Sequence, residues 1–285
     1  MLDLVSLSRA WVVGGKTSNM DAGLLRNLVE ANMTQEDDTN HEKLTDELLS
    51  NTFAFLMAGH ETSAHSLSFA VAFLALYPEV QQKIYEEATR IWPDGCPTTA
   101  SVSSYKEHMP KLEYTLATFQ ETIRMFPAAP RLTKIVHMDT TLTVHRFTTQ
   151  GTGEIEAITP FTVPVRAGSL ILLDTMAVHM NPIYWGHDAE EFNPERFLDT
   201  ETYRWPRDAF FAFSSGPRSC IGQRFALTES VCTLTSLVRR YEISVPEHLT
   251  GKPFEEQKRI LLKWRPRTTP TPLNCMVRLR RRAVN

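Results

Sequence analysis

The chain has 285 residues, 42% of them hydrophobic, enough for one large domain with a sizeable core. Its formal net charge of −3 gives no reason to expect a nucleic-acid partner. Four cysteines, at 96, 220, 232 and 275, show neither the paired spacing of a zinc site nor a disulfide framework, and a reducing, cytosol-facing compartment suits them.

No signal peptide or hydrophobic anchor is visible over Met1–Gly15. Apolar spacing predicts a helix near Asp21–Asn32, a polar loop over Glu36–Asn40, and a long helix over Leu44–Tyr77 ended by Pro78. That long helix resembles a membrane span in length and hydropathy. Asn51, His60, Glu61 and His65 lie inside it, however, and an acid at mid-span is costly in lipid. A buried core helix is the expectation. Within it sits Ala58-Gly59-His60-Glu61-Thr62-Ser63. Gly59 lets a ligand approach the backbone. Thr62 can hydrogen-bond back to the Ala58 carbonyl and bend the helical ladder. Glu61 beside that hydroxyl offers a proton path. A plain helix kink beside a solvated acid accounts for the same residues.

Further helices are predicted over Glu79–Ile91 and Leu112–Met125, the second ended by Phe126-Pro127. Glu121 and Arg124, three residues apart, share a face of that helix and can pair. Most such pairs are surface features worth ~0–1 kcal/mol. Arg131 follows, ahead of Thr/Val/Ile runs from Thr133 to Leu173 that read as strands. The Pro- and aromatic-rich stretch Asn181–Ala212 reads as a long ordered coil and contains Phe192-Asn193-Pro194-Glu195-Arg196-Phe197. His179, just before it, reads as a packing or hydrogen-bonding histidine.

Phe213-Ser214-Ser215-Gly216-Pro217-Arg218-Ser219-Cys220-Ile221-Gly222 comes next. Gly216 and Gly222 permit backbone angles and close approaches that a side chain would block, and Pro217 stiffens the loop. Leu227, Val231, Leu234 and Val238 then recur at helical spacing over Gly222–Arg240. Cys220 therefore falls at or just before a helix N-terminus, where the dipole and Arg218 favour a thiolate. A buried structural cysteine in a glycine turn is the plainer alternative. The tail over Ile260–Leu279 reads as a final β-hairpin, and Arg278–Arg282 as a basic terminus that is solvated or meets a membrane surface or partner.

The Cys220 stretch resembles the haem-binding signature Phe-x-x-Gly-x-Arg-x-Cys-x-Gly of the cytochrome P-450 (haem-thiolate) superfamily. The resemblance implies that Cys220 is the axial ligand of haem iron, the metal of the site, through a thiolate that favours O–O cleavage. It implies that Arg218 contacts a haem propionate, that Phe213 packs beside the sulfur, and that Arg131 is a second propionate arginine. Gly216 and Gly222 belong to the same cofactor-binding stretch. The helix motif resembles the family's oxygen-activating groove, so Glu61 and Thr62 are the implied catalytic, proton-guiding pair. Glu121, Arg124 and Arg196 match its buried three-way network behind the haem.

The four signatures occur in the family's order and cover about Leu48 to Arg240. The framework resembles eukaryotic microsomal members, fungal ones among them, and their fatty-acid-hydroxylating relatives. The implied fold is mainly α with a smaller β-rich region, a P-450-like fold lacking the N-terminal part. It makes one domain over residues 1–285, with a helical core near 44–125, a β-rich region near 131–175, a meander and cysteine loop near 181–222, a last long helix near 222–240 and a hairpin near 260–280. The implied chemistry is monooxygenation of an apolar small molecule with haem b. Electrons would come from NADPH through a flavoprotein reductase, at the cytosolic face of the endoplasmic reticulum for a full-length, membrane-associated relative. Complete members carry a long portion ahead of the oxygen groove, which this chain reaches by Ala58. The competing expectation is therefore a truncated, inactive homologue with impaired haem binding.

Overall fold

The structure is a computed structural model that describes residues 27–28, 41–93, 106–149 and 155–282. Of the helix expected at Asp21–Asn32, only Asn27 and Leu28 are described, and both are helical. The polar loop at Glu36–Asn40 and Cys96 lie outside the described residues. The chain divides into two units, Met1–Glu61 and Thr62–Asn285, and the division falls inside one continuous helix, α1 (His41–Leu76). Among the described residues no helix is long and apolar enough to cross a membrane.

In the first unit, Leu48 is buried, Thr52 Oγ1 donates to the Leu48 carbonyl at 2.8 Å, and Phe53, Leu56 and Met57 are exposed. In the second, α1 enters the core from Phe69 onward. Phe69, Phe73, Leu74 and Ala70 are fully buried, Phe73 stacks on Phe192 at 4.0 Å, and Phe69 stacks on Phe126 at 4.1 Å. Each such aromatic removes enough apolar surface to contribute about 1.5–3 kcal/mol.

Helix α2 (Pro78–Ile91) starts where Pro78 sets φ at the first helical position and Glu79 meets the positive helix end. It buries Val80, Gln81, Ile84, Glu87 and Ala88, a stripe at helical spacing. Helix α3 (Glu113–Met125) is enclosed on nearly every side, with Thr115, Ala117, Thr118, Phe119, Glu121, Thr122, Ile123, Arg124 and Met125 buried. Its first turn is capped from outside. The Glu87 carboxylate accepts the Tyr114 and Thr115 N–H groups at 2.7 and 2.9 Å and the Thr115 hydroxyl at 2.6 Å.

Among the described residues four two-stranded antiparallel ribbons follow, none merged with another. β1 (Arg131–Ile135) pairs with β4 (Leu170–Asp174), and β2 (Thr140–Thr149) with β3 (Ile155–Val165). Short helices α4 (Thr175–His179) and α5 (Pro182–Trp185) lead into the coil, which carries a 3-10 turn at Pro194–Phe197. Helix α6 (Gln223–Arg240) buries Val231, Leu234 and Val238. The fold is mainly α with a smaller β region.

The C-terminal part departs from the expected single hairpin. Helix α7 (Phe254–Leu261) takes up its first residues, and only β6 (Trp264–Pro266) and β7 (Pro270–Pro272) form a hairpin. β8 (Arg278–Arg281) instead pairs with β5 (Tyr241–Ser244) at the end of α6. Three prolines, Pro266, Pro270 and Pro272, confine the β6–β7 ladder to three residue pairs, and proline cannot donate to a ladder. The basic tail is paired through its backbone while the side chains of Arg278–Arg281 stay exposed, as expected of a solvated terminus. Arg280 pairs with Glu242, and Arg282 Nε donates to the Val238 and Tyr241 carbonyls at 3.0 and 3.3 Å, closing the C-terminus of α6. Beside it, Gln81 Nε2 donates to the Ile243 carbonyl at 2.7 Å while Gln81 Oε1 accepts the Ile243 N–H at 2.8 Å.

Candidate functional site

The cysteine loop is held by its own backbone. Phe211 O accepts the Ser214 N–H at 2.9 Å, Gly216 O accepts the Ser219 N–H at 3.0 Å, and Phe213 O accepts the Cys220 N–H at 2.8 Å. Gly216 has φ +77°, a conformation costing an L side chain roughly 1–2 kcal/mol, and opens a 3-10 turn over Gly216–Arg218. Gly222 is different from expectation. Its φ of −87° suits any residue, and an added Cβ would meet only Cys220 Sγ, at 3.9 Å. Glycine there frees space beside the sulfur rather than relaxing the backbone.

Cys220 is exposed, two residues before Gly222, the N-cap of α6. It opens on a cavity of about 450 Å³ shared with Met109, Leu116, Ile221, Leu227 and Thr228. Ile221 and Phe225 are 85% and 72% exposed beside it in sequence. Arg218 is also exposed. Phe213 is partly buried against the main core, so the loop is anchored at one end. Cys275 shows a contrasting thiol environment: burial pushes it up to about 11, and its Sγ points at the Leu261 carbonyl at 3.2 Å.

Glu121, Arg124 and Arg196 meet in the interior. Glu121 and Arg124 are fully buried and Arg196 nearly so. Arg124 grips the Glu121 carboxylate with two N–H groups, Nε to Oε2 at 2.6 Å and Nη2 to Oε1 at 2.8 Å. The Glu121 Oε1 also accepts the Asn193 N–H at 2.9 Å and Arg196 Nε at 3.4 Å. Arg196 adds a fourth charge that sequence reasoning missed: its Nη2 lies 3.0 Å from Asp188 Oδ2, and it bonds the Trp185 and Asp188 carbonyls at 2.6 and 2.9 Å. Two carboxylates and two guanidiniums cancel, which is what lets Glu121, Arg124 and Arg196 stay out of water while Asp188, its side chain 37% exposed, closes the cluster at its solvent edge. Burial opposes the Arg196 charge, but the bond to Asp188 and the Glu121 charge outweigh it, and the guanidinium is held above its ordinary value. The same bond holds the Asp188 carboxyl below the usual range.

Arg131 is less constrained. It faces Asp174 across β1–β4 at 3.4 Å with its side chain 68% exposed, so an incoming anion would compete with one solvated carboxylate. Glu61 and Thr62 are adjacent on α1, both half-buried, and an added Cβ at Gly59 would meet no described atom within 4 Å. One turn beyond Thr62, His65 Nδ1 lies 2.6 Å from the hydroxyl of buried Thr269, between β6 and β7. Nothing in the sequence joins residues 204 apart, and only the fold reveals this contact.

A family model described as Cytochrome P450 matches residues 15–270. The chain belongs to the cytochrome P450 family. It is 40% identical over 262 residues, 91% of this chain and 46% of the relative, to "Cytochrome P450 monooxygenase 124" of Postia placenta. It is 32% identical over 228 residues, 78% of this chain and 39% of the relative, to "Putative cytochrome P450 CYP13A4" of Caenorhabditis elegans. To "Cytochrome P450 3A2" of Rattus norvegicus it is 29% identical over 251 residues, 85% of this chain and 45% of the relative. The chain thus spans less than half the length of these P450 relatives.

A P450 is a haem-thiolate protein, and the residues at Cys220 fit such a group. One exposed sulfur, a neighbouring position without a side chain, apolar Ile221 and Phe225 and a nearby arginine suit a flat apolar macrocycle with anionic edges. Among the described residues no group of three or more His, Cys, Asp or Glu converges as a metal site.

Proposed function

We propose that Cys220 ligates haem iron and that the chain carries the haem-thiolate half of a monooxygenase acting on an apolar organic substrate. Haem b, once bound, supplies dioxygen activation and the transfer of one oxygen atom, with electrons drawn from NADPH through a flavoprotein reductase. The observation carrying this reading is the exposed Cys220 thiol in a loop locked by the Cys220 N–H to Phe213 carbonyl bond at 2.8 Å. Arg218 and Arg131 take the propionates, Phe213 holds the loop against the core, and Gly216 and Gly222 shape the turn and the space beside the sulfur. Glu121, Arg124 and Arg196 keep the loop's supporting coil fixed. Glu61 holds a proton at its carboxylate and Thr62 passes it on through Oγ1. Such a protein belongs at the cytosolic face of the endoplasmic reticulum.

A second reading is a family member that takes up haem poorly, favoured by the exposure of Cys220, Ile221 and Phe225 together. One experiment separates the two. The reduced, haem-incubated chain is exposed to carbon monoxide. A red-shifted thiolate Soret band, lost in Cys220→Ala, is the expected result, and absence of haem uptake by the unaltered chain rejects the first reading in favour of the second.

A further inference from the structure

His179 is fully buried and makes three hydrogen bonds in two directions. On one side its Nδ1 lies 2.9 Å from the Arg124 carbonyl, and its own carbonyl accepts Arg124 Nη1 at 2.6 Å. On the other side its Nε2 accepts the Phe211 N–H at 2.8 Å. A backbone N–H can only donate and a carbonyl can only accept. The two partners therefore fix one tautomer, with the proton on Nδ1 and the lone pair on Nε2. The ring stacks on Phe210 at 5.4 Å and meets Trp185 edge-on at 6.3 Å, so it has no room to turn. Phe211 begins the run of bonds that ends at Cys220: its carbonyl holds Ser214, and Phe213 holds the Cys220 N–H.

We infer that His179 is a positioning residue for the Cys220 sulfur, a single neutral imidazole that joins the buried Glu121–Arg124 pair to Phe211, two residues ahead of the cysteine loop. The inference rests on the haem-thiolate reading of Cys220. Burial pushes the imidazole down to about 4, the Arg124 carbonyl bond opposes this, and the Arg124 charge adds to it, so Nε2 stays an acceptor at neutral pH. The bond from Phe211 brings the loop to the network without any charge crossing between them.

Two variants separate positioning from mere core filling. His179→Asn puts an amide N–H near the place of Nδ1 and keeps the bond to the Arg124 carbonyl, but it is too short to reach Phe211. His179→Gln reaches the place of Nε2 and keeps an acceptor for Phe211. Hydrogen exchange is read on the chain without haem, and the carbon monoxide spectrum on the chain with it. In His179→Asn, the Phe211 and Cys220 amides should exchange about tenfold faster or more, while amides of α3 keep their rates. The thiolate Soret band should lose intensity to the shorter-wavelength band of a displaced sulfur. His179→Gln should resemble the unaltered chain in both readouts. Equal behaviour of the two variants, whether both mild or both globally destabilised, overturns the inference. If His179→Asn does not fold, nitrogen NMR of the unaltered imidazole decides: protonated Nδ1 with bare Nε2 upholds the bond to Phe211, and the opposite tautomer removes it. A chain that never binds haem fails the proposed function, while the exchange comparison still reports whether His179 governs the loop.

Discussion

Replacing Glu121 with glutamine removes one charge from a cluster of four that otherwise cancel, three of them buried and Asp188 at its solvent edge. Arg124 would keep its bonds to the His179 and Glu191 carbonyls at 2.6 and 3.3 Å but lose its two-point carboxylate grip. Arg196 would keep Asp188 at 3.0 Å, so the unbalanced cation is Arg124, fully buried. Removing one partner of a buried pair costs about 3–5 kcal/mol. Against a total stability of roughly 5–15 kcal/mol, that is about a fifth or more of the margin. At this chain length it lowers the melting temperature by roughly 6–20 °C. Arg131→Ala is the internal control, because its pair with Asp174 is solvated and worth ~0–1 kcal/mol. Urea unfolding followed by tryptophan fluorescence measures both, helped by Trp185, whose ring lies 5.2 Å from the Arg124 guanidinium. A double-mutant cycle with Arg124→Met isolates the pair, and restoring balance should recover much of the loss. A Glu121→Gln loss no greater than that of Arg131→Ala would refute the reasoning.

Two further outcomes are expected. His179 is held at about 4 against an ordinary 6.5, so the unfolded chain takes up its proton first as pH falls. This group's contribution is whole above about pH 7, drains away between about 6.5 and 4, and totals about 3 kcal/mol. Urea titrations at pH 8 and pH 5 should differ by about 2 kcal/mol more in the unaltered chain than in His179→Gln, and equal differences would contradict the neutral imidazole. At the two glycines, Gly216→Ala should destabilise the chain by roughly 1–2 kcal/mol because of its φ of +77°. Gly222→Ala should leave stability nearly unchanged but weaken haem uptake, as haem titration would read. An equal stability loss for both would rule out a space-making role for Gly222.

Much of the site was legible because its members sit in short motifs. Glu121 and Arg124 are one helical turn apart, and the loop from Phe213 to Gly222 is continuous, so spacing alone put each group together. What stayed hidden depends on carbonyls and on long separations. Asp188 and Arg196 are joined through a coil with no periodicity, and His179 works through the backbone atoms of Arg124 and Phe211, which any residue types would supply. The two glycines looked alike in sequence and differ in dihedral angle and in what an added Cβ would meet. The long amphipathic helices were readable from apolar spacing. The pairing of β5 with β8 was not, because α7 and the β6–β7 hairpin separate the two strands.

The bonds from Gln81 to Ile243 have a consequence for how the protein behaves in company. Ile243 sits opposite Leu279, so its N–H and carbonyl point away from β8, toward what would otherwise be an open edge of the ribbon. Gln81 occupies both at 2.8 and 2.7 Å, with its amide standing in for the peptide group of a missing strand. An edge whose central residue is already saturated gives a stray strand no place to begin pairing. A side chain on a helix thus ends the sheet at two strands and shields it from other chains.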